Sequence, residues 1–161
     1  MRVLGIDPGI ATTGIGIIDK CGNKIHLVYY TAILTPANTA LEQRLGQLYS
    51  ELCKIMDDYS PEFIAVEELF FNTNAKTALI VGQARGVILL ATHRYGLPVT
   101  SYTPVQVKMG VSGYGRADKR QIQSMVKQLL GLTSIPKPDD AADALAIAIC
   151  HAHSIRLKSL A

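Results

Sequence analysis

The sequence predicts an α/β protein in which helices flank a five-stranded mixed sheet. Three observations lead to this prediction. Three strand-like segments joined by short turns open the chain, two shorter apolar segments follow later, and apolar residues recur at helical spacing between them. Short turns favour an antiparallel meander for the first three strands, whereas helical crossovers make the last two strands parallel to the first. With 161 residues, we expect a single domain over 1–161.

The first half of the chain contains the meander and one amphipathic helix. An apolar run at Arg2–Asp7 ends at a Pro-Gly turn, and Thr12–Asp19 is the second strand. The turn sequence KCGN then leads into a third strand at Lys24–Leu34. From Leu41 to Tyr59 the apolar residues fall three and four positions apart, which is the spacing of a helix with one buried face.

The second half alternates between short strands and helices. Apolar runs bounded by prolines or acids predict the strands, helical spacing predicts the helices, and three glycines in a short stretch predict a loop. The predicted elements are strand Pro61–Glu68, helix Ala75–Tyr95, strand Pro98–Tyr102, loop Lys108–Arg116, helix Asp118–Leu130 and helix Asp139–Arg156.

Composition excludes several classes of protein. Apolar residues make up 48% of the chain and charged residues 18%, which is typical of a globular protein and not of a disordered one. No apolar stretch approaches the ~20 residues that span a bilayer, and no signal peptide is visible, so we expect a cytoplasmic protein without a membrane partner. The three cysteines form no CxxC pair, which argues against a disulfide framework or a zinc knuckle.

Charge is unevenly distributed along the chain. The formal net charge is +3, but residues 104–161 hold eight basic and four acidic side chains. This basic final third indicates phosphate binding, although a solvated basic face explains it equally well.

Carboxylates occur where apolar strands end and where the last helix begins. Because parallel strands end at the same edge of a sheet, we expect the acid after the first strand to lie near one of the two acids after the fourth. Strand alternation sends those two acids to opposite faces, so only one can join the first. The acids concerned are Asp7, Glu67, Glu68, Asp139, Asp140 and Asp143. Each has an ordinary structural explanation as a turn former, a surface residue or a helix N-cap, the last applying to Asp139.

Crowded carboxylates raise one another's pKa and are ordinarily neutralised by a hard divalent cation. A cluster without histidine or cysteine favours Mg²⁺ or Mn²⁺ over zinc. Two such ions about 4 Å apart can activate a water and stabilise the leaving oxygen in phosphodiester hydrolysis.

Four segments together resemble the RuvC family of Holliday-junction resolvases, which have the RNase H-like fold. They are GIDPG at 5–9, AVEELF at 65–70, GQARGV at 82–87 and DAADALAIAI at 140–149. The resemblance implies that the catalytic residues and metal ligands are Asp7, Glu67, Asp140 and Asp143. It also implies two Mg²⁺ ions per site, for which Mn²⁺ substitutes. The partners implied are a second copy of the chain in a homodimer that nicks two opposing strands of a four-way junction, and a branch-migration motor of the RuvA and RuvB type.

Candidate DNA contacts lie mostly in the basic final third. The resemblance favours Phe70 as an aromatic that stacks on an unpaired base, and it assigns functional roles to Lys108 and Lys119. Further candidate phosphate contacts are Lys76, Arg85, Arg116 and Arg120. The glycine-rich sequence GVSGYG is either a phosphate-binding loop or an ordinary connector.

Alternatives remain at three points. Helix Ala75–Tyr95 is apolar nearly all round, so a second subunit or another part of the same chain must cover it. The segment GIDPGIATTG also resembles the first phosphate loop of actin-like ATPases and sugar kinases, although those need two such lobes. Finally, the fold suits a junction-binding protein that does not cut, or an RNase H-like nuclease acting on another nucleic acid, such as an RNA–DNA hybrid.

Overall fold

A computed structural model of the chain describes residues 1–68 and 75–158, and of residues 75–77 and 156–158 it describes the backbone alone. The expected mixed sheet is present, with strand order β3-β2-β1-β4-β5. Strands β1 to β3 form the antiparallel meander, while β4 and β5 run parallel to β1. The strands are β1 Arg2–Asp7, β2 Thr12–Cys21, β3 Lys24–Leu34, β4 Phe63–Glu67 and β5 Val99–Tyr102.

Within the described ranges, five helices cover the two faces of this sheet. The helices that were predicted from helical spacing begin and end within a few residues of the expected bounds, which is the usual uncertainty at helix ends. The helices are α1 Leu41–Tyr59, α2 Ala75–Arg94, α3 Pro104–Ser112, α4 Lys119–Leu129 and α5 Asp139–Lys158. No helix in the described ranges is long and apolar enough to cross a membrane.

Alternation along the strands divides the interior into two cores. Leu4 and Ile6 of β1 face α1 and α2, where they join Leu48 and Ile88 in one buried cluster. Val3, the residue before Leu4, faces the opposite side, in a second cluster built mainly from the last three helices. Each strand therefore contributes one set of side chains to each core, as expected for a sheet covered on both faces.

Helix α5 lies directly on the central strands because glycines leave room for its backbone. A Cβ at Gly16 would come 2.6 Å from the backbone nitrogen of Leu145, and one at Gly5 would come 2.9 Å from Ala148 Cβ. Both distances are shorter than side-chain packing permits. Glycine at these strand positions is thus required for close helix–sheet packing, which sets the position of everything on α5.

The prediction of a loop at Lys108–Arg116 is wrong for the first half of that segment, which belongs to α3. Thr103 caps this helix reciprocally with Gln106, and Gly113 ends it in the left-handed conformation. Gly110 suggested a loop, but it lies inside α3, where a Cβ would fall 2.7 Å from Cys150 Sγ on α5. The glycine-rich loop is correspondingly shortened to the residues that follow α3.

Candidate active site

Asp7 and Glu67 project from adjacent parallel strands toward the same side of the sheet. Ile6 pairs with Val66 in the β1–β4 register, so the next residue on each strand continues that alignment. Alternation puts Asp7 and Glu67 on the α5 side with Val3 and Ala65, which belong to the core there. For Glu68, the residue after the strand, alternation predicts the opposite direction.

The start of α5 brings two further carboxylates to this edge. Gly14 pairs with Asp7 across β1 and β2, and its missing side chain makes room for the backbone of Asp140. Asp143 lies three residues further on, which places it on the same face of the helix. The N-terminus of α5 thereby lies over the strand ends that carry Asp7 and Glu67.

Electrostatics show that these carboxylates act on one another. Burial, together with the charges of Glu67, Asp143 and Asp140, raises the pKa of Asp7 from 3.8 to about 8. Burial also raises the pKa of Glu67, with Asp143 adding to the effect and Lys108 opposing it. For Asp143, burial again raises the pKa and Lys119 opposes the rise. These shifts mark a group of acids that lack sufficient positive charge.

A cavity of about 210 Å³ opens beside the acids. Its walls combine two of the carboxylates with two lysines and an apolar floor, so that both signs of charge face one space. The residues lining it are Glu67, Pro104, Val107, Lys108, Lys119, Ile122, Asp143 and Ala146. The carboxylates would repel a negatively charged group from this pocket unless additional positive charge is bound beside them.

The donor set fits hard divalent cations. It contains carboxylate oxygens from β1, β4 and α5, and a cation would relieve the repulsion that raises the pKa of Asp7. As the side chains stand, no group of three acidic, histidine or cysteine residues in the described ranges is arranged to hold a metal. At Asp143, Lys119 Nζ lies 3.1 Å from Oδ2 and supplies positive charge.

The predicted DNA contacts divide into three groups. Lys108 and Lys119 line the cavity, while Arg116, which precedes α4, and Arg120 in its first turn are exposed. Arg85 is directed elsewhere: its Nη2 donates to Ser101 Oγ at 2.7 Å, and its Nε is buried without a hydrogen-bond partner. Phe70 and the side chain of Lys76 lie outside the described residues.

Asp139 has a role that its sequence position did not suggest. It is the first residue of α5 and not a residue preceding it, and its carboxylate contacts two lysines. Lys137 Nζ lies 2.6 Å from Oδ1, and Lys119 Nζ lies 3.5 Å from Oδ2. The N-cap reading took account of helix-start chemistry alone, and the contact with α4 is not visible in a local pattern.

Comparison with known proteins places this geometry in a family. The profile described as "Crossover junction endodeoxyribonuclease RuvC" matches residues 3–151. A protein of that name from Desulfitobacterium hafniense (strain DSM 10664 / DCB-2) is 60% identical over 157 residues, covering 98% of this chain and 95% of the relative.

Solved structures agree with the sequence match. The Thermus thermophilus RuvC structure aligns with a TM-score of 0.90 and 37% identity, over 98% of this chain and 97% of that one. The T. thermophilus RuvC in complex with Holliday junction substrate also aligns with a TM-score of 0.90, at 35% identity, over 98% and 96% of the two chains. The fold of the chain is therefore RNase H-like, as expected.

Proposed function

Because the chain belongs to the family of RuvC crossover junction endodeoxyribonucleases, we propose that it cuts four-way DNA junctions at the carboxylate cluster formed by Asp7, Glu67, Asp140 and Asp143. The observation that supports this assignment most strongly is the convergence of acids from β1, β4 and α5 beside a cavity that also contains two lysines. Resolution of Holliday junctions is the activity that the family name and the matching junction complex indicate. We propose that residues 1–161 work as one nuclease domain.

Nucleases of this family depend on metal ions, and we propose Mg²⁺, two per site, with Mn²⁺ as a substitute. Asp7, Glu67, Asp140 and Asp143 would hold the ions, which when bound activate water and stabilise the leaving oxygen. Asp7 is enclosed by the charges of the other three acids, so its carboxylate is the one that gains most from neutralisation. Asp7 would hold a metal ion as the ionised carboxylate.

The two lysines that line the cavity contact the DNA. Lys108 opposes the raised pKa of Glu67, which places its positive charge near that acid. An ammonium there attracts the scissile phosphate into a pocket that would otherwise repel it, and holds it facing the acids. Arg116 and Arg120 are exposed close in sequence to Lys119 and would extend the basic surface along which the strand can lie.

We further propose that two copies assemble through α2. Ala84, Ile88 and Ala91 on one face of this helix are buried against the sheet. Another face exposes Leu79 by 66% and Leu90 by 57%. Gly86 lies between these two leucines, and a Cβ there would meet nothing within 4 Å. A two-fold dimer would cover this face and present two sites to two equivalent strands.

The remaining assignments follow from the family. A branch-migration motor of the RuvA and RuvB type would deliver the junction, and the cytoplasm is the compartment in which the chain would meet it. Arg85 is no longer favoured as a phosphate contact, because its guanidinium is bound to Ser101.

A cleavage assay with a panel of substrates tests the proposal. A synthetic four-way junction, a duplex, a flap and an RNA–DNA hybrid are each incubated with Mg²⁺, Mn²⁺, Ca²⁺ or a chelator. We expect paired nicks in opposing strands of the junction, with Mg²⁺ or Mn²⁺ only. Faster cutting of the hybrid would favour a different nuclease, binding without cutting would favour an architectural protein, and thermal stabilisation by Mg-ATP would favour the kinase-like alternative.

A further inference from the structure

A chain of alternating charges connects α4, α5 and the loop between them. Lys119 Nζ lies 3.1 Å from Asp143 Oδ2 and 3.5 Å from Asp139 Oδ2, so two carboxylates share one ammonium group. The other oxygen of Asp139 is 2.6 Å from Lys137 Nζ. Only Asp143 of these four residues belongs to the proposed ligand set.

A helix begins on each side of this contact. Lys119 is the first residue of α4, directly after Asp118, which caps the helix in a reciprocal pair of hydrogen bonds with Gln121. Asp139 is the first residue of α5, whose position is determined by the close packing of that helix on the sheet. The two helix starts therefore keep Asp139 within reach of Lys119.

The ammonium occupies a place where positive charge is needed. The acids around Asp7 lack compensating charge, and Lys119 supplies part of it at Asp143. A divalent ion bound by Asp143 would meet this ammonium at short range, and two positive charges repel each other there. Metal binding and the Lys119–Asp143 contact thus compete for the same carboxylate.

We propose that Asp139 is a positioning residue that holds Lys119 over Asp143, so that Lys119 is the resident counter-charge that a divalent metal ion must displace. The inference rests on the metal site proposed above. Once displaced, Lys119 remains next to the cavity, where it can contact a DNA phosphate. Metal binding would therefore prepare the DNA-binding surface.

Calorimetric titration of Mn²⁺ into the DNA-free protein measures the competition without reference to cleavage. We expect Lys119→Met to tighten Mn²⁺ binding by roughly three- to tenfold, since it removes a repelling charge that solvent partly screens. Lys127→Met, which removes one positive charge near the other end of α4, is the matched control and should leave the affinity within about twofold. An unchanged affinity in Lys119→Met would overturn the inference.

Asp139→Asn distinguishes positioning from a simple charge effect. If Asp139 acts only through space, the substitution weakens Mn²⁺ binding by the same factor with Lys119 present or replaced by Met. If Asp139 holds Lys119 in place, the substitution also frees the Lys119 ammonium that competes with Mn²⁺ at Asp143. This gain in Mn²⁺ affinity occurs only when Lys119 is present. We therefore compare the effect of Asp139→Asn on Mn²⁺ affinity in the protein with Lys119 and in the Lys119→Met protein. We expect the effect to favour Mn²⁺ binding more when Lys119 is present, by a factor of about three or more. A smaller factor, or the opposite sign, contradicts the proposal.

Two checks keep the outcomes separate. Thermal unfolding of each variant in chelator shows that the fold is intact, as expected for side chains that are 44% and 54% exposed at Asp139 and Lys119. Asp143→Asn tests the metal site itself. If it leaves Mn²⁺ binding unchanged, the proposed site is wrong, whereas weakened binding together with an unchanged Lys119→Met variant refutes only the competition.

Discussion

The backbone of Asp140 lies against Gly14, the residue that pairs with Asp7 across β1 and β2. A Cβ at Gly14 would overlap the Asp140 carbonyl oxygen and would come 3.2 Å from Asp140 Cβ. A residue with no side chain thus determines how closely α5 approaches the strand ends. The spacing between the acids of α5 and the acids of the sheet depends on this contact.

Gly14→Ala should therefore damage both folding and activity. The added methyl has no space, and overpacking of this kind costs about 1–3 kcal/mol. Displacement of α5 would also move its carboxylates away from Asp7. Gly46→Ala on α1 is the control, because a Cβ there meets nothing within 4 Å and alanine is the better helix former. Denaturant unfolding and junction cleavage of both variants measure the difference, and a Gly14→Ala variant as stable and active as the control would refute the close approach.

Neighbouring acids should differ sharply in importance. Glu67→Gln and Asp143→Asn are expected to abolish junction cleavage at saturating Mg²⁺, because both remove a proposed ligand. Glu68→Gln and Asp139→Asn are the matched controls and should be mild under the same conditions. Cleavage rates at several Mg²⁺ concentrations make the comparison. Equal damage from Glu68→Gln would overturn the assignment of strand faces.

Two kinds of DNA contact should respond differently to salt. Lys108→Ala and Lys119→Ala each remove a charge, so each should flatten the dependence of junction affinity on salt by about one unit of slope. Phe70→Ala removes a stacking group worth roughly 1–3 kcal/mol per base, so it should weaken junction binding more than duplex binding without changing the slope. Binding across a salt series tests all three variants. A Phe70→Ala protein with lowered thermal stability and an unchanged preference for junctions would show that Phe70 is a packing residue.

The metal-free protein should become less stable as the pH rises. The pKa of Asp7 is about 8 in the folded protein, against an ordinary value of 3.8, so the folded state holds a proton that the unfolded state releases. Stability is then lost progressively between about pH 4 and pH 8. Thermal unfolding in chelator at pH 5 and pH 8 measures the loss, which should be smaller in Asp7→Asn. Identical pH dependence of the two proteins would contradict the raised pKa.

Local patterns were sufficient for most of the fold and for the position of the acids. Alternation along β4 sends Glu67 toward Asp7, and the spacing of Asp140 and Asp143 puts them on one helix face. These are properties of a single strand or helix, so the sequence alone reveals them. The roles of the acids as metal ligands stay predictions.

Features that depend on contacts between distant segments were missed. Gly110 suggests a loop until the nearby Cys150 is known, because only that contact explains a glycine inside α3. Arg85 suggests a phosphate contact until Ser101 is seen beside it. The Lys119–Asp139 pair likewise joins two helix starts that no local rule brings together.

The most direct test of the account is junction cleavage and junction binding by Asp7→Asn beside the unaltered protein, both with Mg²⁺. The substitution keeps the shape of the side chain but removes the charge at the centre of the cluster. We expect cleavage to fall by about a hundredfold or more, because the proposed ions lose a shared ligand. Binding should survive or tighten, because a negative charge facing DNA is gone. A variant that cuts the junction at nearly the original rate would show that the cluster around Asp7 is not the catalytic site.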